Sequence, residues 1–147
     1  MDLTTSYPRS VHEKLFGLVQ IARTIDKGKA TAEGKQGEYH YNCPMDQHVL
    51  SFLGIDHDAL LEVIKNAKGD AAIEAYVKPF IDKKSPQEIE AFNREWVTHK
   101  PDNEESRQYF LQLRNAIAPD RTDVTAWADL LDLDEKRNVP KRVPVNA

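Results

Sequence analysis

Residues 34–44 read Gly34-Lys35-Gln36-Gly37-Glu38-Tyr39-His40-Tyr41-Asn42-Cys43-Pro44, and the fold class turns on how this stretch is read. Its tyrosines alternate, which is the spacing of an extended strand. A strand gains its hydrogen bonds from a neighbour, however, and no other run in the chain is strand-like enough to supply one. The sequence therefore predicts a structured loop, opened by Gly34 and Gly37. Pro44 ends it by entering the first turn of a helix, where its missing N–H would have no partner in any case.

Outward from this loop the apolar residues recur at helical spacing. Upstream, Val11, Leu15, Leu18, Val19, Ala22 and Ile25 predict a helix capped by Ser10 and continuing to about Ala32, with Gly17 admitting a close neighbour. Residues 1–9 form an arm stiffened by Pro8. Downstream, Val49, Leu50 and Leu53 give the helix after Pro44 a buried face that Gly54 closes. Asp56 caps a helix carrying Leu60, Leu61 and Ile64. Asp70 begins another with Ile73, Tyr76, Val77, Phe80 and Ile81, which Pro79 is expected to kink or shorten. Ser85-Pro86-Gln87-Glu88 is a capping box with proline in the first turn, and Ile89, Phe92 and Trp96 follow as a stripe. Pro101 with Asp102 or Asn103 opens a helix bearing Tyr109, Phe110, Leu113, Ala116 and Ile117, stopped by Pro119. A last one starts near Asp123, with Val124, Trp127, Leu130 and Leu131. The expected fold is all-α: a compact single domain of six or seven short packed amphipathic helices over 10–137, followed by a tail at 138–147.

Composition narrows the function. The 147 residues are 40% hydrophobic and 30% charged, enough for one core. Twenty Lys and Arg face 24 Asp and Glu, for a net charge of -4. That balance gives no basic face for nucleic acid. The basic residues Lys136, Arg137, Lys141 and Arg142 are interrupted by prolines and valines, as in a solvated tail. No apolar run approaches the roughly 20 residues of a spanning helix, so no membrane partner is expected. One cysteine and an N-terminus without a secretion leader suggest the cytoplasm. Zinc is not expected, since one Cys and scattered histidines lack the spacing of a four-ligand site.

The segments Gly17-Leu18-Val19, Ala22-Arg23-Thr24-Ile25-Asp26-Lys27, Gly37-Glu38-Tyr39 and Tyr41-Asn42-Cys43-Pro44-Met45-Asp46 together resemble the DUF5069 family of bacterial proteins. The resemblance continues through Phe52-Leu53-Gly54-Ile55 and returns at Asp129-Leu130-Leu131-Asp132-Leu133-Asp134-Glu135. It covers most of the chain and implies a compact domain. It carries no reaction, cofactor or catalytic residue with it, and the candidate site residues follow from local chemistry alone.

Cys43 is the candidate nucleophile or redox centre. It stands at a predicted helix start, where unpaired amides favour an anion, although free cysteines more often fill space in a core. Arg23, Asp26 and Lys27 lie three and four residues apart, so their side chains can converge. Arg23 and Lys27 would hold a small anion while Asp26 orients Arg23, or the three form a structural ion-pair network. Asp26 could also anchor the hydroxyl of Tyr39 or Tyr41. The two tyrosines either wall a ligand pocket or seal the loop onto the core. Asn42 and Asp46 suit the helix start, with Asn42 bonding amides across Pro44 and Asp46 in the first turn. A metal held by Asp46 with His40 or His48 has no supporting motif.

Three functions follow. The first is an accessory domain that binds a small anionic molecule or a protein in a cleft between the first helix and the Tyr39–Asp46 loop. The second is a thiol-dependent enzyme or redox protein using Cys43. The third is a structural module that forms a homodimer. No cofactor is indicated.

Overall fold

The computed structural model describes residues 1–142. Seven helices are present among them: α1 Ile21–Ala32, α2 Pro44–Leu53, α3 His57–Asn66, α4 Asp70–Asp82, α5 Pro86–Val97, α6 Glu104–Ile117 and α7 Trp127–Asp134. The described residues contain no strand, only an isolated antiparallel bridge between Leu15 and Leu18. The fold is all-α, and residues 34–43 are a loop as expected. No helix among the described residues is long and apolar enough to cross a membrane.

The first helix is shorter than its periodicity suggests. Ser10 does not cap it: its hydroxyl accepts the N–H of His12 within a turn. Leu15 and Leu18 then exchange two backbone hydrogen bonds of 3.0 Å around Phe16 and Gly17. Those two residues have φ of 51° and 83°, and Gln20 has φ of 72°. Left-handed backbone at three nearby positions is incompatible with a continuous right-handed helix. Gly17 serves this tight turn, and a Cβ added there would meet nothing within 4 Å. The apolar residues are nonetheless buried, with Val11 and Leu18 at 0% exposure. Burial was legible; the backbone that achieves it was not.

The chain divides into two compact units, residues 1–92 and 93 onward. In the first, α1 packs on α2 and α3, and α3 on α4. Gly28 makes the α1–α3 approach close: a Cβ there would lie 2.7 Å from Ile64 Cδ1 and 3.2 Å from Tyr41 Cε1. The Asp56 carboxylate caps α3 by accepting the Ala59 N–H at 2.9 Å. α4 runs three residues past Pro79, so the proline does not end it. Ser85 and Glu88 form the reciprocal capping box at the start of α5. Phe92 stacks on Phe52 of α2, with ring centroids 4.5 Å apart.

In the second unit, Phe110, Val124, Leu130 and Val139 form the core. The Phe110 and Trp127 rings meet edge to face at 5.0 Å. Asn103 caps α6 through the Ser106 N–H. α7 begins at Trp127 rather than near Asp123, because Val124 is buried from the preceding turn. The chain after Arg137 is not simply solvated. Val139 is 5% exposed, and Arg142 grips Asp129 through two hydrogen bonds of 2.8 and 2.9 Å. Arg137 pairs with Asp132 and Glu135. Residues 143–147 of the expected tail lie outside the described residues.

Candidate functional site

α1 carries polar residues through its buried face at helical spacing: Gln20 just before it, then Thr24 and Lys27. The loop after α1 reverses direction and delivers the first turn of α2 against this stripe. Asp46, the third residue of α2, is completely buried. Its Oδ1 accepts hydrogen bonds from Thr24 Oγ1 at 2.6 Å and Gln20 Nε2 at 3.3 Å. Its Oδ2 lies 2.7 Å from Lys27 Nζ and accepts the Cys43 N–H at 3.3 Å. Lys27 Nζ also donates to Cys43 Sγ at 3.1 Å. The Lys27 side chain is only 5% exposed, so the ion pair is shielded from solvent.

Cys43 is the cap residue of α2 and is half-buried. Asn42 does not bond the helix amides. It stands before the cap with φ of 65°, and its carbonyl accepts Gln47 Nε2 at 2.9 Å. The left-handed turn at Asn42 is what redirects the chain into α2. Asn is among the residues that tolerate it best.

A second buried carboxylate, Asp26, takes Arg9. Its oxygens accept the Arg9 backbone N–H at 2.9 Å and Arg9 Nε and Nη2 at 3.0 Å each. Burial pulls the Arg9 guanidinium down, but its hydrogen bonding and pairing with Asp26 outweigh that and leave its pKa raised. Arg23 is buried, with Nη1 donating to the Arg9 carbonyl at 3.2 Å and its guanidinium 5.6 Å from the Tyr39 ring centroid. The arm is thereby tied to α1. Tyr41 bonds neither Asp26 nor any other carboxylate: its hydroxyl donates to the His57 carbonyl at 2.7 Å. Burial, reinforced by the charges of Asp46, Asp58 and Asp56, pushes its pKa up.

The structure thus places Lys27, Cys43 and Asp46 in mutual contact, and Arg23 with Tyr39 beside Asp26 and Arg9. Arg9, Gln20 and Thr24 were not singled out from the sequence. The last two had a readable signal, since Gln20, Thr24 and Lys27 form a polar i, i+4, i+7 stripe within apolar sequence. Arg9 had none, as its partner lies 17 residues away.

Beside this junction lies a cleft of about 380 Å³ lined by Asn42, Gln47, Leu50, Ser51, Ile55, Asp56 and His57. A second, of about 330 Å³, lies at the ends of α1 and α3 and the start of α4; Lys29 and Asp70, paired at 2.7 Å, are among its lining residues. Among the described residues no group of three His, Cys, Asp or Glu side chains is placed to hold a metal ion.

No curated protein matches the chain. The model of the domain of unknown function DUF5069 matches residues 5–137, nearly the full length. The chain that buries the Lys27–Asp46 pair therefore belongs to the DUF5069 family.

Proposed function

We propose that this chain is an accessory domain that binds a small polar molecule in the cleft beside the Tyr39–Asp46 loop. The observation that carries the reading is the wall of that cleft. Asn42 and Gln47 flank a helix start held to α1 by the buried Lys27–Asp46 pair. A recess whose wall is fixed before binding loses little conformational entropy when filled. Leu50 and Ile55 supply an apolar floor, while Gln47, Ser51, Asp56 and His57 offer donors and acceptors at the rim.

An anion clamped between Arg23 and Lys27 is the less favoured ligand, because Lys27 is already neutralised by Asp46 and Arg23 points into the Arg9 carbonyl. With Asp56 on the wall, a neutral or cationic polar molecule fits the cleft better. The test is amide chemical-shift mapping of the full chain against a panel of small neutral and cationic metabolites. The reading predicts shifts clustered on Asn42, Gln47, Ser51 and His57, abolished by Ser51→Trp, which fills the cleft from an exposed position. Shifts clustered elsewhere, or none across the panel, would overturn it.

A further inference from the structure

The contact between Lys27 Nζ and Cys43 Sγ joins an amine and a thiol from different elements. They lie 16 residues apart in sequence and 3.1 Å apart in space. Lys27 is held in place by Asp46 at 2.7 Å, and Cys43 by its position as the cap of α2. Neither group has to travel to react with the other. Asp46 is within reach to accept a proton from the lysine, and its other oxygen keeps the hydrogen bonds of Thr24 and Gln20. Cys43 is half-buried, so the side chain is partly open to a small oxidant such as hydrogen peroxide.

We propose that Lys27 and Cys43 form a peroxide-driven covalent cross-link, a sulfenamide between Nζ and Sγ. Hydrogen peroxide oxidises the Cys43 thiol by two electrons: its O–O bond breaks, one oxygen becomes the sulfenic hydroxyl and the other leaves as water. Lys27 then passes a proton to the Asp46 carboxylate, and the freed amine attacks the sulfur. The S–O bond breaks, and the departing hydroxyl takes a second proton from the nitrogen and leaves as water. The net change joins thiol, ammonium, carboxylate and one peroxide into an S–N bond, a neutral carboxyl and two waters. A dithiol reductant reverses it: one thiol attacks the sulfur, the S–N bond breaks and the amine is released, and the second thiol displaces Cys43 from the mixed disulfide as the reductant closes to its own disulfide. The consequence is a redox latch: a reversible contact between α1 and the loop before α2 becomes covalent, and the thiol is shielded from further oxidation.

The test is mass spectrometry of the intact, folded protein after a brief exposure to hydrogen peroxide. The expected product is lighter by two hydrogen atoms, yields a joined peptide pair containing Lys27 and Cys43, and returns to the starting mass with dithiothreitol. Cys43→Ser removes the product. Lys27→Arg retains a cation opposite Asp46 and leaves Cys43 to gain oxygen instead. The joined peptide is read on the unaltered protein, so the result does not depend on either variant folding. Oxygen addition at Cys43 with an unmodified Lys27 peptide, a Cys43–Cys43 disulfide between two chains, or no reaction would each overturn the proposal.

Discussion

A buried lysine and a buried aspartate held 2.7 Å apart are a liability for the fold if either is lost, because the survivor is left buried with no opposite charge beside it. Lys27 and Asp46 meet that description more fully than any exposed pair in the chain, where screening leaves little net stabilisation. Tyr41 adds a pH-dependent term of its own. Its folded pKa is raised, so the unfolded state ionises first, near the ordinary value of 10.0, and stability contributed below that pH is lost as pH rises through it. We therefore expect the stability of the parent to fall relative to Tyr41→Phe as pH rises above about 10, whereas the two run parallel at neutral pH. The constant offset at neutral pH, about 1 kcal/mol, reports the lost hydrogen bond to the His57 carbonyl. Urea unfolding at a series of pH values measures both, and curves that stay parallel into the alkaline range would contradict the assignment.

At the scale of elements, the approach of α1 to α3 depends on Gly28. Gly28→Val places branched carbons where Ile64 Cδ1 and the Tyr41 ring now stand. Ile64 can swing aside, but the ring is pinned by its hydroxyl at His57. The expected loss is about 1–3 kcal/mol, as for other overpacked cores, measured by thermal or urea unfolding. An unchanged or raised stability would show that the two helices have room to spare. The elements most legible in sequence are those whose ends are written locally. Asp56, Ser85 with Glu88, and Asn103 cap helices within three residues of themselves. Residues 10–20 carry a misleading local signal: Ser10 reads as a cap, but its hydroxyl accepts the His12 N–H within a turn. Val11, Leu18 and Val19 satisfy a helical period and are buried, yet their backbone follows a turn at Phe16–Gly17. Periodicity reports which side chains seek the core and leaves open how the chain delivers them.

At the scale of the whole molecule, acidic and basic side chains are used to fasten chain segments rather than to build a field. In the first unit Arg9 ties the arm to Asp26 of α1, and Lys27 of α1 ties down the start of α2 through Asp46. In the second, Arg121 pairs with Asp123 and Arg142 with Asp129, fastening the residues after α7. Asp123 is held well below the usual carboxylate range by its hydrogen bonds from Arg121 and the Arg142 backbone. The sequence puts Cys43 and Lys27 on one cleft between the first helix and the Tyr39–Asp46 loop, but it pairs Lys27 with Arg23 and does not select the contact of Lys27 with Cys43. Arg9 with Asp26 and Arg142 with Asp129 join segments 17 and 13 residues apart, and nothing in a linear pattern selects these carboxylates over the others.

The Lys27–Asp46 pair fastens α1 to α2, and a double-mutant cycle measures that fastening. Both tryptophans, Trp96 and Trp127, lie in the second unit, so their fluorescence would report the wrong part of the chain. Amide hydrogen exchange within α1 reads the opening of the first unit itself. Lys27→Met and Asp46→Asn should each lower the opening free energy by about 3–5 kcal/mol. The double variant should lose less than the sum of the two single losses, by about 1–3 kcal/mol. Single variants that each shift exchange by less than about 1 kcal/mol, with losses that simply add, would mark the pair as no stronger than a surface contact and rule it out as the fastening of α1 to α2.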